Sequence, residues 1–362
     1  MHLARQRHEL VLRELALRGA LRSAETAARL GVSEITMRRD LVALEGAGKL
    51  RRVHGGAVAL DAAPAPRPAR SLVGLVVPNT TSYFRSVVRG AEAVAPALRV
   101  RLVLGVSQYR PEVEVAQVDR LVALGVSGLV VAPTTRERPV AELASWLRSV
   151  AVPLVLMERQ LDGDTSLSEL DLARTDHAQG GVLAVEHLHR LGHRRIALAV
   201  YDRTPTAPHL RAGFATALTR LGLEPGPDVS FDVGEEGDPI ALAAAVEDAL
   251  DRCVAAGATA VVAHTDHHAA RLVEGALDRG LRVPGDLAVV AYDDENAELA
   301  VVPLTTVTPP RREIGEESLR LLVDRMAEDG ASRRPPRHLS LLPRLTVRAS
   351  CGAAPSPGGR RG

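Results

Sequence analysis

Seven short apolar runs recur along the middle of the chain, at Leu72–Val77, Arg101–Gly105, Gly128–Ala132, Leu154–Glu158, Arg195–Val200, Ala258–Ala263 and Leu287–Tyr292. Each is built from Val, Leu, Ile and Ala without polar alternation, the pattern of a strand covered on both faces. Most are followed by a helical stretch. Strand and helix in turn are βαβ units, which assemble an α/β fold with parallel, doubly wound sheets. The roughly 280 residues involved exceed what one such sheet needs, so two similar lobes in tandem are expected.

Residues 5–57 have a different texture, a series of short helical patterns. Between the two textures lies Asp61-Ala62-Ala63-Pro64-Ala65-Pro66-Arg67-Pro68-Ala69-Arg70. Its prolines remove backbone donors and favour extended backbone, which makes 61–70 a semi-stiff linker and a domain boundary. The net charge of +1 hides an asymmetry: residues 1–60 carry 11 basic against 6 acidic side chains, +5, leaving −4 for the rest. Cys253 and Cys351 are too few and too distant for a disulfide framework, which fits a reducing compartment. The N-terminus has no apolar core of a signal peptide, and no apolar run approaches the ~18 residues of a membrane span. The expectation is a soluble, cytoplasmic, nucleoid-associated protein with no membrane partner. The end of the chain, 350–362, is Gly/Pro/Arg-rich and is expected to be disordered.

In the N-terminal part, Ser23 precedes Ala24–Leu30, Gly31 breaks the pattern and Ser33 can cap a second helix, Glu34–Glu45. Helix, glycine turn, helix is the helix-turn-helix grammar. On the second helix Met37, Leu41 and Leu44 share a stripe, with Ile35, Arg39 and Val42 opposite and Thr36 and Arg38 flanking that outer face. Such a surface suits phosphates, guanine edges and thymine methyls in a major groove, and equally well an ordinary solvated helix. Downstream, Lys49-Leu50-Arg51-Arg52-Val53-His54-Gly55-Gly56-Ala57-Val58 reads as two short strands around a basic tip, a wing able to lie along DNA.

Together, Ser33-Glu34-Ile35-Thr36-Met37-Arg38-Arg39-Asp40-Leu41 and Leu44 to Ala57 resemble the DeoR-type winged helix-turn-helix. The resemblance implies that the Thr-x-Arg-Arg-Asp helix enters the major groove, with Thr36, Arg38 and Arg39 reading bases. Ser33, Ile35, Lys49, Arg51, Arg52, His54 and Gly55 complete the expected DNA surface, and Asp40 is expected to orient the two arginines or hold the wing.

In the rest of the chain, Tyr83 and Phe84 stand just past the first strand and are two of only eight aromatic residues. They suggest a stacking platform, with one of the pair packed as core. Glu158 and Arg159 follow the fourth strand and Asp293 ends the seventh. A carboxylate beside an arginine can bind vicinal hydroxyls or close an inter-lobe salt bridge. Leu72–Phe84 with Val88-Arg89-Gly90-Ala91-Glu92, Gly125–Val131, Glu186–Ala197, Gly280–Asp294 and Pro303–Val307 resemble, in order, the LacI/GalR effector domain, a two-lobed periplasmic-binding-protein-like (type I) fold. The resemblance spans 71–349 and implies three crossings between lobes, with lobe 1 at about 71–175 and 311–338 and lobe 2 at about 176–308 and 339–349.

By resemblance the effector contacts fall on Ser82, Tyr83 and Phe84, on Glu158 with Arg159, on Arg211, on Thr265 and on Asp293. Two positions depart from the family: Glu158 stands where Asp is usual, and Leu210 occupies the family arginine's place, leaving Arg211 one step late. Asp266 reads as a helix N-cap at least as well as a ligand contact.

Other chemistries are disfavoured. Histidines at 187, 189 and 193 and at 264, 267 and 268 have metal-like spacings but no acidic or thiolate fourth ligand in register. The first strand is followed by Pro78-Asn79-Thr80-Thr81-Ser82 and not by G-x-G-x-x-G. Gly46-Ala47-Gly48-Lys49-Leu50 lacks the Ser/Thr of a phosphate loop, and no G-x-S-x-G elbow occurs. No catalytic residue, cofactor or metal is assigned. The expectation is a repressor-type regulator, a homodimer or a tetramer built from it, that binds double-stranded operator DNA under control of a small sugar-like effector. The competing readings are a sugar-processing enzyme or a plain sugar-binding protein. LacI-type proteins usually join head and core by a hinge helix in the minor groove, which the prolines of 61–70 oppose.

Overall fold

The structure, a computed structural model, describes residues 4–18, 20–59, 71–136, 138–159, 168–231, 238–328 and 334–353. The proline-rich 61–70 segment and residues 354–362 lie outside the described residues. The chain divides into two compact units, Met1–Ala69 and Arg70–Gly362.

The first unit packs α1 (Ala4–Arg18), α2 (Ser23–Leu30) and α3 (Glu34–Gly46) beside strands β1 (Ala20–Arg22), β2 (Arg51–Val53) and β3 (Gly56–Val58) in the antiparallel order β1-β3-β2. Gly31 ends α2 in the left-handed region (φ 65°), where a side chain would be strained. Ser33 caps α3 by accepting from the Thr36 amide at 3.2 Å. Met37, Leu41 and Leu44 turn inward onto Val11, Leu15 and Leu50, and this core fixes which face of α3 is left outside. A Cβ on Gly56 would stand 2.0 Å from the Leu21 carbonyl, so only glycine lets β3 approach β1.

The second unit has two six-stranded sheets. The first contains β4 (Ser71–Val77), β5 (Val100–Val106), β6 (Gly128–Val131), β7 (Leu154–Met157), β8 (Asp171–Thr175) and, from much later in the chain, β14 (His338–Leu341), in the order β14-β8-β7-β6-β4-β5. The second contains β9 (Ile196–Val200), β10 (Asp228–Ser230), β11 (Ala260–His264), β12 (Ala288–Tyr292), β13 (Thr305–Thr308) and β15 (Arg344–Thr346), in the order β10-β9-β11-β12-β13-β15. All pairings are parallel except β13 with β15. The missing alternation in the apolar runs has a direct cause. Val73, Leu75 and Val77 of β4 face α4 (Ser82–Val94) and α11 (Arg311–Met326), while Leu72 and Val76 face α5 (Pro111–Ala123) and α6 (Val140–Ser149). Each face of the strand therefore has an apolar partner.

The chain crosses between lobes after β8, after β13 and between β14 and β15. This moves one expected boundary. Residues 339–341, assigned to lobe 2 from sequence, pair with Ala173–Thr175 of lobe 1, and Leu339 and Leu341 pack on the lobe 1 core. Residues 350 and 351, expected to belong to a disordered tail, are instead buried. The Ser350 hydroxyl accepts from the Thr305 amide at 2.8 Å and donates to the Val289 carbonyl at 2.6 Å, and the Cys351 Sγ lies 3.2 Å from His187 Nε2.

Helices α4 and α11 meet through reciprocal glycines: a Cβ on Gly90 would lie 2.0 Å from the Arg312 carbonyl oxygen, and one on Gly315 1.9 Å from that of Val87. Backbone atoms cannot yield as a side chain would. Gly315→Ala is expected to cost about 1–3 kcal/mol, read from the urea midpoint of the second unit.

Candidate effector cleft and DNA-reading surface

Between the lobes lies a cleft of about 1170 Å³, walled by the loops leaving the C-terminal ends of β4, β6, β7, β9, β11 and β12. Open parallel sheets bind ligands at such strand ends. Three of the expected contact residues, Ser82 (φ 46°), Glu158 (φ 59°) and Asp293 (φ 104°), sit in the left-handed region just past a strand. A non-glycine residue tolerates that conformation only where the surroundings enforce it, and such positions concentrate at binding sites.

Tyr83, Phe84, Arg159, Thr265 and Asp293 all line the cleft with Ser82. Phe84 is also core, only 1% exposed, and meets the Tyr83 ring edge to face at 5.4 Å. Tyr83 is thus the ring available as a platform, with Arg311 on it at 5.6 Å. Thr265 caps α10 (Asp266–Asp278) together with His268. Asp266 is not the cap. Its carboxylate accepts from the Glu295 amide at 2.6 Å and the Thr306 hydroxyl at 3.1 Å, pinning the loop that carries Asp293. Burial, and then the negative charges of Asp266 and Glu295, push the Asp293 carboxyl well above the usual range.

Two expected contacts are corrected. Glu158 does not line the cleft; it lies behind Tyr83, 5% exposed. Its carboxylate accepts from the Tyr83 hydroxyl, from the Thr175 amide at 3.1 Å and from the Thr175 hydroxyl at 2.9 Å, with His177 Nε2 at 3.6 Å. Burial opposes its ionisation, but His177, Tyr83 and the Thr175 amide outweigh it and hold Glu158 down at about 2. Glu158 therefore positions the platform. His177 Nδ1 pairs with the Tyr292 hydroxyl at 2.8 Å, so the contacts run from Tyr83 through the first crossing into lobe 2.

Arg211 does not reach the cleft either. It bonds Asp228 at 2.9 and 3.0 Å and Asp202 on its other edge, and those bonds raise its pKa further. Leu210, in the family arginine's place, is fully buried, and one step along a helix turns a side chain by about 100°. Arg211→Ala is expected to leave ligand affinity within about threefold while lowering stability, checked by calorimetry beside a melting curve. The cleft residues that sequence reasoning missed include Tyr109, Arg136, Tyr201 and Arg203. Only the rarity of aromatics offered a signal for the two tyrosines.

The histidines are dispersed. His268 stacks between Tyr201 (4.8 Å) and Phe231 (5.3 Å), and burial lowers His264 to about 3 and His268 to about 4, leaving both neutral at pH 7. His193 bonds Thr259 at 2.9 Å. Among the described residues no three His, Cys, Asp or Glu converge as a metal site, and no helix is long and apolar enough to cross a membrane.

On the first unit, Ile35, Arg38, Arg39, Lys49, Arg51, His54 and Gly55 are exposed, with Ile35 at 67%. Ser33 and Thr36 are hydrogen-bonded to each other at 2.9 Å at the start of α3. Arg52 is tied to Glu45, which accepts from its amide at 2.8 Å and its Nε at 2.5 Å and so holds the wing to α3. Asp40 does neither of the things expected of it. It is buried and receives Arg7 at 2.9 and 3.2 Å and His8 at 3.0 Å, so it fastens α1 to α3 and leaves Arg38 and Arg39 unattached among the described residues.

Similarity to known proteins agrees with this arrangement. Residues 7–63 match the model of a DeoR-like helix-turn-helix domain, and residues 185–351 that of a periplasmic binding protein-like domain. The HTH-type transcriptional regulator MalR of Streptomyces coelicolor is 30% identical over 94% of this chain and 99% of its own length. The chain belongs to the LacI family of transcriptional regulators. The arabinose metabolism transcriptional repressor of Geobacillus stearothermophilus is 28% identical over 83% of this chain and 82% of its own. Among solved structures, a complex of the transcriptional regulator CelR with cellobiose is 25% identical, covers 90% of this chain and 98% of its own and has a TM-score of 0.64. Within the LacI family the DeoR-like head is the unusual part.

Proposed function

We propose that the protein is a LacI-family repressor whose operator affinity is set by a sugar or sugar derivative held between the lobes. The observation that carries this reading is the union, in one chain, of a head with unpaired arginines on its outer helix and a sensor with a polar, ring-floored cleft at strand ends. Named relatives that act on arabinose and ribose genes, and a relative solved with cellobiose, support a sugar. One winged helix reads a half-site, so a homodimer on a roughly palindromic operator follows, acting on the chromosome in the cytoplasm. The −4 charge of the body limits indiscriminate attachment to DNA. No catalytic step is assigned. Ser82, Tyr83, Arg159, Thr265 and Asp293 are the proposed effector contacts, and Thr36, Arg38 and Arg39 the proposed base readers.

A thermal-shift screen of free and acidic sugars tests the reading, because a ligand of the folded state raises the melting temperature in proportion to RT ln(1 + [L]/Kd). At 100 Kd the stabilisation is about 2.7 kcal/mol; no shift with any sugar would contradict it. In this reading the prolines at 64, 66 and 68 transmit the signal as spacing between heads. Deleting four residues from 61–70 is expected to change the preferred half-site separation, measured by selection from random DNA.

A further inference from the structure

The two walls of the cleft differ in charge. Among the described residues, the lobe 1 wall, from Asn79 to Arg159, includes no carboxylate, whereas lobe 2 contributes seven, Asp266, Asp293 and Glu295 among them, beside Arg203 and Arg271. Arg159 is 8% exposed, lines the cleft and lies 5.6 Å over the Phe84 ring. Among the described residues its one hydrogen bond is a long 3.4 Å contact to the Glu158 carbonyl. Among the described residues, the nearby carboxylates are engaged: Glu158 by Tyr83, Thr175 and His177, and Glu114 by the Thr134 amide at 2.8 Å and Arg138 at 3.2 Å. Arg136, on the same wall, also lines the cleft without an acidic partner among the described residues, as does Arg203 on lobe 2. A buried guanidinium is costly unless its fork of donors meets acceptors, and the planar fork fits a carboxylate or a phosphate.

Across the cleft, Asp293 has no hydrogen-bond partner on its side chain among the described residues. With Asp266 it welcomes hydroxyl donors, while Glu295 is paired with Arg311 at 3.4 Å. Resting on the reading of the cleft as a sugar site, we propose that the effector is a polyhydroxylated organic anion, its carboxylate or phosphate gripped by Arg159 on lobe 1 and its hydroxyls turned to Asp293 on lobe 2. Closure of the lobes then joins a cationic wall to an acidic one through a bipolar ligand, which a neutral sugar cannot do as well.

The test is calorimetry on the full chain with matched sets: D-glucose, D-gluconate, D-glucuronate, D-glucose 6-phosphate and D-glucosamine, then the corresponding galactose and ribose compounds. The expected result is at least one anion bound tenfold or more tighter than its neutral parent. The carboxylate and phosphate arms tell which oxyanion it is. Arg159→Gln should bring that ratio to about one, and Arg159→Lys should keep part of it. If the glutamine variant fails to fold, the lysine variant and the wild-type ratios decide. A neutral or amino sugar as tightest ligand, or an unchanged ratio in Arg159→Gln, overturns the inference and leaves the sugar reading standing. A panel in which nothing binds defeats both.

Discussion

Glu158→Ala is expected to destabilise the sensor by about 3–5 kcal/mol and to weaken effector binding at least tenfold. The carboxylate accepts three hydrogen bonds in a nearly closed space, and alanine would strand the Thr175 amide and hydroxyl and the Tyr83 hydroxyl without water to replace it. Buried donors left unpaired cost about 1–3 kcal/mol each, and removing one partner of a buried charge pair about 3–5. Affinity falls because Tyr83, released, loses the orientation of its ring in the cleft. Glu158→Gln keeps an acceptor and should lose about half as much.

The pH dependence has a definite sign. A carboxyl held at about 2 in the folded state, against about 4.3 unfolded, contributes stability that is fully present above the unfolded value and is lost as pH falls through about 2. The gap between wild type and Glu158→Gln should therefore shrink between pH 4.5 and 2, measured by urea unfolding across that range. A loss under 1 kcal/mol for Glu158→Ala at pH 7 would contradict the positioning role.

The second large effect concerns DNA. Replacing Arg38 and Arg39 together by alanine is expected to lower operator affinity by about 2–6 kcal/mol, from about 1–3 for each base-reading side chain. Both are exposed, and Asp40 is engaged elsewhere, so the fold should change by no more than about 0.5 kcal/mol. Affinity measured on operator and on random DNA separates the roles. A drop confined to the operator marks base reading, and an equal drop on both, with a shallower salt dependence, marks phosphate contact.

The seven apolar strands and the capped α3 were legible because their physics is local: two-sided burial removes polar alternation, and Ser33 caps three residues ahead. The strands that escaped are polar ones paid for by distant partners. Asp171 opens β8, yet it is buried, meeting Arg325 at 2.8 Å, Arg334 at 2.8 and 2.9 Å and the Arg337 amide at 2.7 Å, all from more than 150 residues away. Thr305 and Thr306 of β13 are fully buried and hydrogen-bonded to Ser350 and Asp266. The misassigned site residues share one cause, that position along the chain does not give side-chain direction. Glu158 lies past its strand as expected but is turned inward by its left-handed backbone, Arg211 is rotated toward two aspartates, and Asp40 is claimed by α1.

The proposed regulation depends on coupling between cleft and head. Fluorescence anisotropy at fixed salt, with labelled operator and with the ligand that most raises the melting temperature either absent or saturating, measures it directly. A change in operator affinity of about 5–150-fold, equivalent to about 1–3 kcal/mol, is predicted. Equal affinities with and without the bound ligand would contradict it.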